Sequence, residues 1–157
     1  MPPMYSPVLL IHSWLRWAVL IAGLVAVVRG MGGWSGVRRW TRVDDRAGYW
    51  FVLLLDLQML LGLLLYFVLS PFTTQALSDF GASMKNSGLR FWAVEHAFGM
   101  VIALVLAHVG RVRVRNASAA RKHRLTAIFL GLALLAILAS IPWPGMPSGR
   151  PLFRWGM

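Results

Sequence analysis

The chain has 157 residues, of which 58% are hydrophobic and 13% charged, and its formal net charge is +11. The apolar residues come in long uninterrupted blocks, which exclude an ordinary soluble domain and indicate a single integral membrane domain over residues 1–157. Cysteine is absent, which excludes disulfides, iron–sulfur clusters with cysteine ligands, and covalent c-type haem.

Four apolar segments predict an all-α, four-helix membrane bundle with up-down-up-down topology. The segments cover approximately residues 8–28, 49–69, 90–110 and 125–141. Each has about 17–21 residues, enough for a helix to cross a hydrocarbon core roughly 30 Å thick. The lipid bilayer is therefore the first expected partner, and lipid requires helices because it cannot satisfy exposed backbone groups. The N-terminus lacks a basic n-region, so we expect no cleavable signal.

Segment one carries His12 and, one turn later, Arg16. At 1.5 Å per residue, His12 lies about 6 Å below the outer boundary of the membrane. Arg16 shares its face with His12, where the guanidinium is a candidate partner for a haem propionate. The structural alternatives are a pairing of Arg16 with Asp56 or Glu95, or an outward reach to the membrane surface.

Basic residues are concentrated in the first and third connections between the segments. The first connection has Arg29, Arg38, Arg39, Arg42 and Arg46, and the third has Arg111, Arg113, Arg115, Arg121, Lys122 and Arg124. The positive-inside rule therefore predicts both connections in the cytoplasm and both termini outside. Since this rule also explains the net charge, we expect no nucleic acid as a partner. His123, in the third connection, is expected to be solvated.

Segment two carries Asp56 and a stripe formed by Gln58, Gly62 and Tyr66. Six residues at 100° each place Asp56 about 120° away from Gly62, on the flank of the stripe. Asp56 is therefore expected to contact a neighbouring helix or a proton path, or to be a neutral, hydrogen-bonded carboxyl. Gly62 leaves room for a flat cofactor, although it equally suits close helix packing. Residues 70–89 are expected to form an outer connector.

Segment three carries His96, about 9 Å below the same boundary, and Gly99 one turn below it. Segments one and three run parallel, so His12 and His96 share one depth and are candidate axial ligands of a single haem iron. Gly99 would leave room for the porphyrin ring of that haem. The alternative is a pair of hydrogen-bonded structural histidines and a glycine that permits close packing. His108 lies about 120° around the helix from His96 with no histidine at its level on another segment, so we expect at most one haem.

Three motifs lie within these segments, IHSWLRW at residues 11–17, DLQMLLG at 56–62 and RFWAVEH at 90–96, and a fourth, SIPWP at 140–144, begins at the end of the last segment and extends beyond it. Together they resemble a family of small four-helix bacterial membrane proteins commonly labelled cytochrome b-like, and the resemblance spans nearly the whole chain. It implies b-type haem with His12 and His96 as candidate ligands, in the bacterial inner membrane. Relatives often have histidine where this chain has Asp56, which argues against a histidine-based role for the second segment.

Three classes of function follow. The leading hypothesis is a b-type cytochrome-like protein with one bis-histidine haem near the outer face, an electron-transfer component that works with quinol or within a respiratory assembly. The second is a non-redox assembly subunit or small transporter-like bundle with a buried polar network of His12, Arg16, Asp56 and His96. The third is a haem-free quinone-binding anchor, with polar contacts from Arg16, Asp56, Gln58 and Tyr66.

Overall fold

The computed structural model describes residues 3–155, which contain helices and no strand. The four long helices are α1 (Tyr5–Gly32), α2 (Arg42–Leu64), α6 (His96–Arg115) and α7 (Ala119–Ser140). Three short helices, α3 (Pro71–Ser78), α4 (Phe80–Lys85) and α5 (Ser87–Arg90), separate α2 from α6. Two π-helical turns, Leu65–Leu69 and Phe91–Glu95, follow α2 and precede α6. The four long apolar helices confirm the prediction of an all-α, four-helix, multi-pass membrane protein.

The long helices form a ring in the order α1, α2, α6, α7. Helix α1 packs against α2 and α7, while α6 packs tightly against α7 and much less closely against α2. Helices α1 and α6 therefore lie on a diagonal of the bundle and run in the same direction. We call the end where α1 begins and α7 ends the terminal end, and the end with residues 33–41 and 116–118 the basic end.

At the basic end, all four spanning helices extend beyond the segments predicted from hydropathy. Helix α6 continues through Arg111, Arg113 and Arg115, because arginine is a good helix former whose long side chain reaches the polar surface. Helix α2 begins at Arg42 because Thr41 and Asp44 form a capping box, in which each side chain accepts a bond from the other residue's backbone N–H.

The connector at the terminal end is more regular than the sequence suggested. Each of its three short helices starts at a polar residue whose side chain accepts a backbone N–H bond: Ser70 from Thr73, Asp79 from Ala82, and Asn86 from Leu89. Such side-chain caps satisfy the free donors of a helix start. Three caps within twenty residues fold the connector over the end of the bundle.

The prediction that His123 is solvated is wrong. Helix α7 begins four residues earlier, and His123 lies on its inward face with 1% of its surface exposed. The Trp40 ring covers it at 4.9 Å between ring centres, and a Cβ on Gly33 would overlap the imidazole. His123 is buried because Trp40 and Gly33, which are far from it in the sequence, pack against its ring.

Candidate functional site

His12 and His96 face each other across the diagonal of the bundle at its terminal end. Their ring centres are 6.5 Å apart and the ring planes are inclined by 73°. Both side chains belong to the walls of two adjoining cavities. The structure therefore brings together the two histidines that the sequence predicts at one depth in the membrane. The cavities lie between α1 and α6 at this level.

A hydrogen bond fixes the orientation of the His96 ring. Its Nδ1 lies 2.7 Å from the carbonyl oxygen of Ser140, near the end of α7, where backbone carbonyls have no partner within the helix. Pro142 cannot continue the helix. Since a carbonyl only accepts, the Nδ1 of His96 carries the proton and its Nε2 keeps a free lone pair.

The His12 ring is less well satisfied. The Gln58 amide nitrogen donates to the carbonyl oxygen of His12 at 3.0 Å and lies 3.3 Å from its Nε2. Among residues 3–155, neither His12 Nδ1 nor Gln58 Oε1 has a hydrogen-bond partner, although both atoms are buried. Buried polar atoms without partners are uncommon in folded proteins. The cavity wall beside the imidazoles therefore contains polar atoms that are available for hydrogen bonds to a ligand.

The larger cavity has a volume of about 340 Å³ and opens between α2 and α6, where these helices pack least closely. Its mouth is apolar and includes Phe67, Phe98 and Val101, which are exposed on the surface that faces lipid. The second cavity, of about 110 Å³, extends to the terminal end. A ligand with an apolar body can therefore reach the two histidines from the bilayer.

The two candidate glycines occupy different environments. Gly62 lines both cavities, and a Cβ there would lie 3.4 Å from His12 Cε1. Gly99 instead faces α7, where a Cβ would overlap the side chain of Ser140, and it is not part of either cavity wall. Gly62 thus keeps space open beside His12, while Gly99 permits the close approach of α6 and α7.

Arg16 lies at the terminal end of the smaller cavity. Its Nη2 donates to the carbonyl oxygen of Leu152 at 2.6 Å, and its guanidinium carbon lies 5.4 Å from the centre of the Trp17 ring. The alternative pairings of Arg16 do not form, because Glu95 accepts from Arg90 at 2.7 Å and Asp56 lies beside His108.

Asp56 stands apart from the histidine cluster. Its Oδ1 lies 3.5 Å from the Nε2 of His108, and the two side chains are 40% and 51% exposed. Gln58 on the same helix is buried against His12, so the flank position predicted for Asp56 is confirmed. The polar cluster at the cavity accordingly contains His12, His96, Arg16 and Gln58 without Asp56.

Residues 141–155 form a part of the site that the sequence did not predict. This tail folds back over α1 and is held by backbone acceptors: Trp17 Nε1 donates to Leu152 at 3.2 Å, and Trp14 Nε1 donates to Arg154 at 3.0 Å. Phe153 stacks on Trp17 with ring centres 5.1 Å apart. An irregular segment has no periodic sequence pattern from which its position could be predicted. The one sequence signal for the surface that it contacts is the cluster of Trp14, Arg16 and Trp17 near the start of α1.

The tail also contributes two basic side chains, Arg150 and Arg154, to the wall of the smaller cavity. The Arg150 guanidinium carbon lies 4.7 Å from the centre of the Phe72 ring and 5.1 Å from that of Trp92. The site thus combines two facing imidazoles, an apolar mouth and basic groups at its terminal end. Comparison of the chain with models of protein families, with curated proteins and with solved structures finds no match.

Proposed function

We propose that the chain is a small b-type cytochrome that binds one haem b between His12 and His96. The observation that carries the proposal is the 6.5 Å between the two ring centres. An imidazole nitrogen lies about 2 Å from a metal that it ligates, with its ring centre about 1 Å farther away. Two imidazoles that held one iron between them would therefore have centres about 6 Å apart, close to the 6.5 Å between the ring centres of His12 and His96.

The hydrogen bonds around the two rings support this assignment. Ligating histidines usually donate their second ring N–H to a carbonyl or carboxylate, as His96 Nδ1 does to Ser140. The Gln58 amide nitrogen can keep its hydrogen bond to the His12 carbonyl oxygen and give up its contact with His12 Nε2. His12 Nε2 would then be free to ligate the iron. A haem held here would supply one-electron redox chemistry, and the chain would supply the ligands, the apolar walls and the nearby charges.

The same proposal includes the orientation and the partners of the protein. We place the basic end in the cytoplasm and both termini outside the bacterial inner membrane, because basic loops are retained on the cytoplasmic side. The haem then lies near the outer face. The apolar mouth between α2 and α6 suits exchange of electrons with quinol in the bilayer or with a neighbouring subunit of a respiratory assembly.

The experiment is a reduced-minus-oxidised absorption spectrum of the purified full-length protein, expressed with adequate haem. We expect low-spin b-type bands and about one haem per chain. His12→Ala and His96→Ala should each abolish that spectrum, whereas His108→Ala, on the same helix as His96 but exposed beside Asp56, should retain it. A protein that stays colourless after haem titration, or unchanged haem in both ligand variants, would disprove the proposal.

A second candidate function is quinone binding without haem. The lateral opening of the cavity between α2 and α6 favours it, and the unpartnered His12 Nδ1 and Gln58 Oε1 offer hydrogen bonds to a quinone or quinol head. Organic extraction of a haem-free preparation, followed by chromatography, tests this candidate. Stoichiometric quinone that disappears in Gln58→Leu would support it, and a quinone-free extract would reject it.

A further inference from the structure

Three arginines line the smaller cavity at the terminal end: Arg16, Arg150 and Arg154. Among the described residues that line this cavity there is no carboxylate, and within residues 3–155 none of the three arginines forms a salt bridge. All three are partly buried. Positive charges gathered in a partly dehydrated wall repel one another, and an anion relieves that repulsion.

The arginines are held in place by the fold. Arg150 packs between Phe72 and Trp92, and its backbone N–H donates to the carbonyl oxygen of Pro142 at 3.0 Å, which closes the tail into a loop. Arg16 is anchored on the Leu152 carbonyl oxygen. These contacts fix Arg16 and Arg150 in the cavity wall, which they share with Arg154, whereas ordinary surface arginines are free to turn into solvent.

We propose that this region is an anion-binding subsite for the acidic end of an amphipathic ligand whose apolar body fills the space beside the histidines. The inference rests on the proposed function and deepens it: in the haem protein the acidic groups are the two propionates. Guanidinium groups bind carboxylates bidentately, with stronger hydrogen bonds than neutral donors form. The phosphate of an anionic lipid headgroup offers the same chemistry, whereas a neutral quinone could accept a hydrogen bond from an arginine but carries no negative charge to balance the three.

Esterification of the propionates tests the subsite without a mutation. We expect the full-length protein to bind haem at least about tenfold more tightly than haem dimethyl ester, since one charge-assisted contact contributes about that factor. In the Arg150→Gln/Arg154→Gln double variant this preference should fall several-fold, to what Arg16 alone supports. The control is Arg90→Gln, because Arg90 lies at the same end, pairs with Glu95 and does not line the cavity.

A parallel titration distinguishes the two sources of the anion. The thermal stability of the haem-free protein is measured with short-chain phosphatidylglycerol and with phosphatidylcholine. Stabilisation by phosphatidylglycerol alone, weakened in the double variant and kept in Arg90→Gln, would assign the subsite to lipid even if neither porphyrin binds and the cytochrome proposal fails. Equal affinity for haem and its ester, together with no such lipid effect, would overturn the subsite and leave the cytochrome intact.

Discussion

At the scale of single residues, the packing of α1 depends on glycines, which have no side chain. A Cβ on Gly30 would lie 2.8 Å from the backbone nitrogen of Ala127 on α7 and 3.1 Å from the His123 carbonyl oxygen. Backbone atoms cannot turn aside as a flexible side chain can. Gly32, two residues later in the same helix, has open space where its Cβ would be. The two glycines therefore form a matched pair for testing how α1 contacts α7.

We expect Gly30→Ala to lower the free energy of unfolding by about 1–3 kcal/mol, as overpacking of a close contact does. For a chain of this size the corresponding loss of Tm is roughly 2–10 °C. Gly32→Ala should leave Tm unchanged or raise it slightly, because alanine favours a helix more than glycine does. Thermal unfolding of both variants in the same detergent checks this, and an equal loss of Tm in the two would contradict the packing of α1 on α7.

At the scale of elements, Asp44 joins the end of α1 to the start of α2. Its carboxylate is buried and accepts from Arg29 Nε at 2.8 Å, from Arg38 Nη2 at 2.7 Å, and from both the backbone N–H and the hydroxyl of Thr41. Two of the arginines that the positive-inside rule counts as topology signals therefore also hold the first connection in place.

Removal of that carboxylate should loosen the junction between α1 and α2. Asp44→Asn keeps the shape of the side chain but leaves two partly buried arginines without their counter-charge, so we expect a loss of about 2–3 kcal/mol in the free energy of unfolding. Glu95→Gln is the control: Glu95 and its partner Arg90, 2.7 Å apart, are 47% and 45% exposed, and such exposed pairs contribute less than about 1 kcal/mol. Denaturant titration of the two variants separates these values, and similar losses would contradict the buried role of Asp44.

The features that the sequence predicts correctly are those set by local geometry. Hydropathy locates the four spanning helices, a rise of 1.5 Å per residue places His12 and His96 at one depth, and the 100° turn puts Asp56 about 120° away from Gly62. The features that it misses depend on distant contacts. His123 is buried by Trp40 and Gly33, and the arginines of the tail reach the cavity only because the tail folds back onto α1.

At the scale of the whole molecule, the two ends of the bundle are built differently. Toward the basic end, α2 and α6 meet: Asp45 pairs with Arg111 at 3.0 Å, and a Cβ on Gly48 of α2 would lie 3.1 Å from Arg111 Nη1. Small residues allow this close packing in membranes. Toward the terminal end, α2 and α6 separate and the cavity lies between them. A ligand site is therefore expected at the terminal end, which makes the orientation of the bundle decisive for function.

The orientation can be measured because the chain has no cysteine of its own. Ser35, in the connection at the basic end, and Ser78, at the end of α3, are both exposed, so a cysteine at either position is a unique reporter. With a maleimide that cannot cross the inner membrane, we expect Ser78→Cys to react in intact bacteria and Ser35→Cys to react only after permeabilisation. The physical reason is the basic connections, whose arginines resist transfer to the outer side. The reverse pattern would put the histidine cavity on the cytoplasmic side, and an electron carrier there would have to serve partners on that face instead.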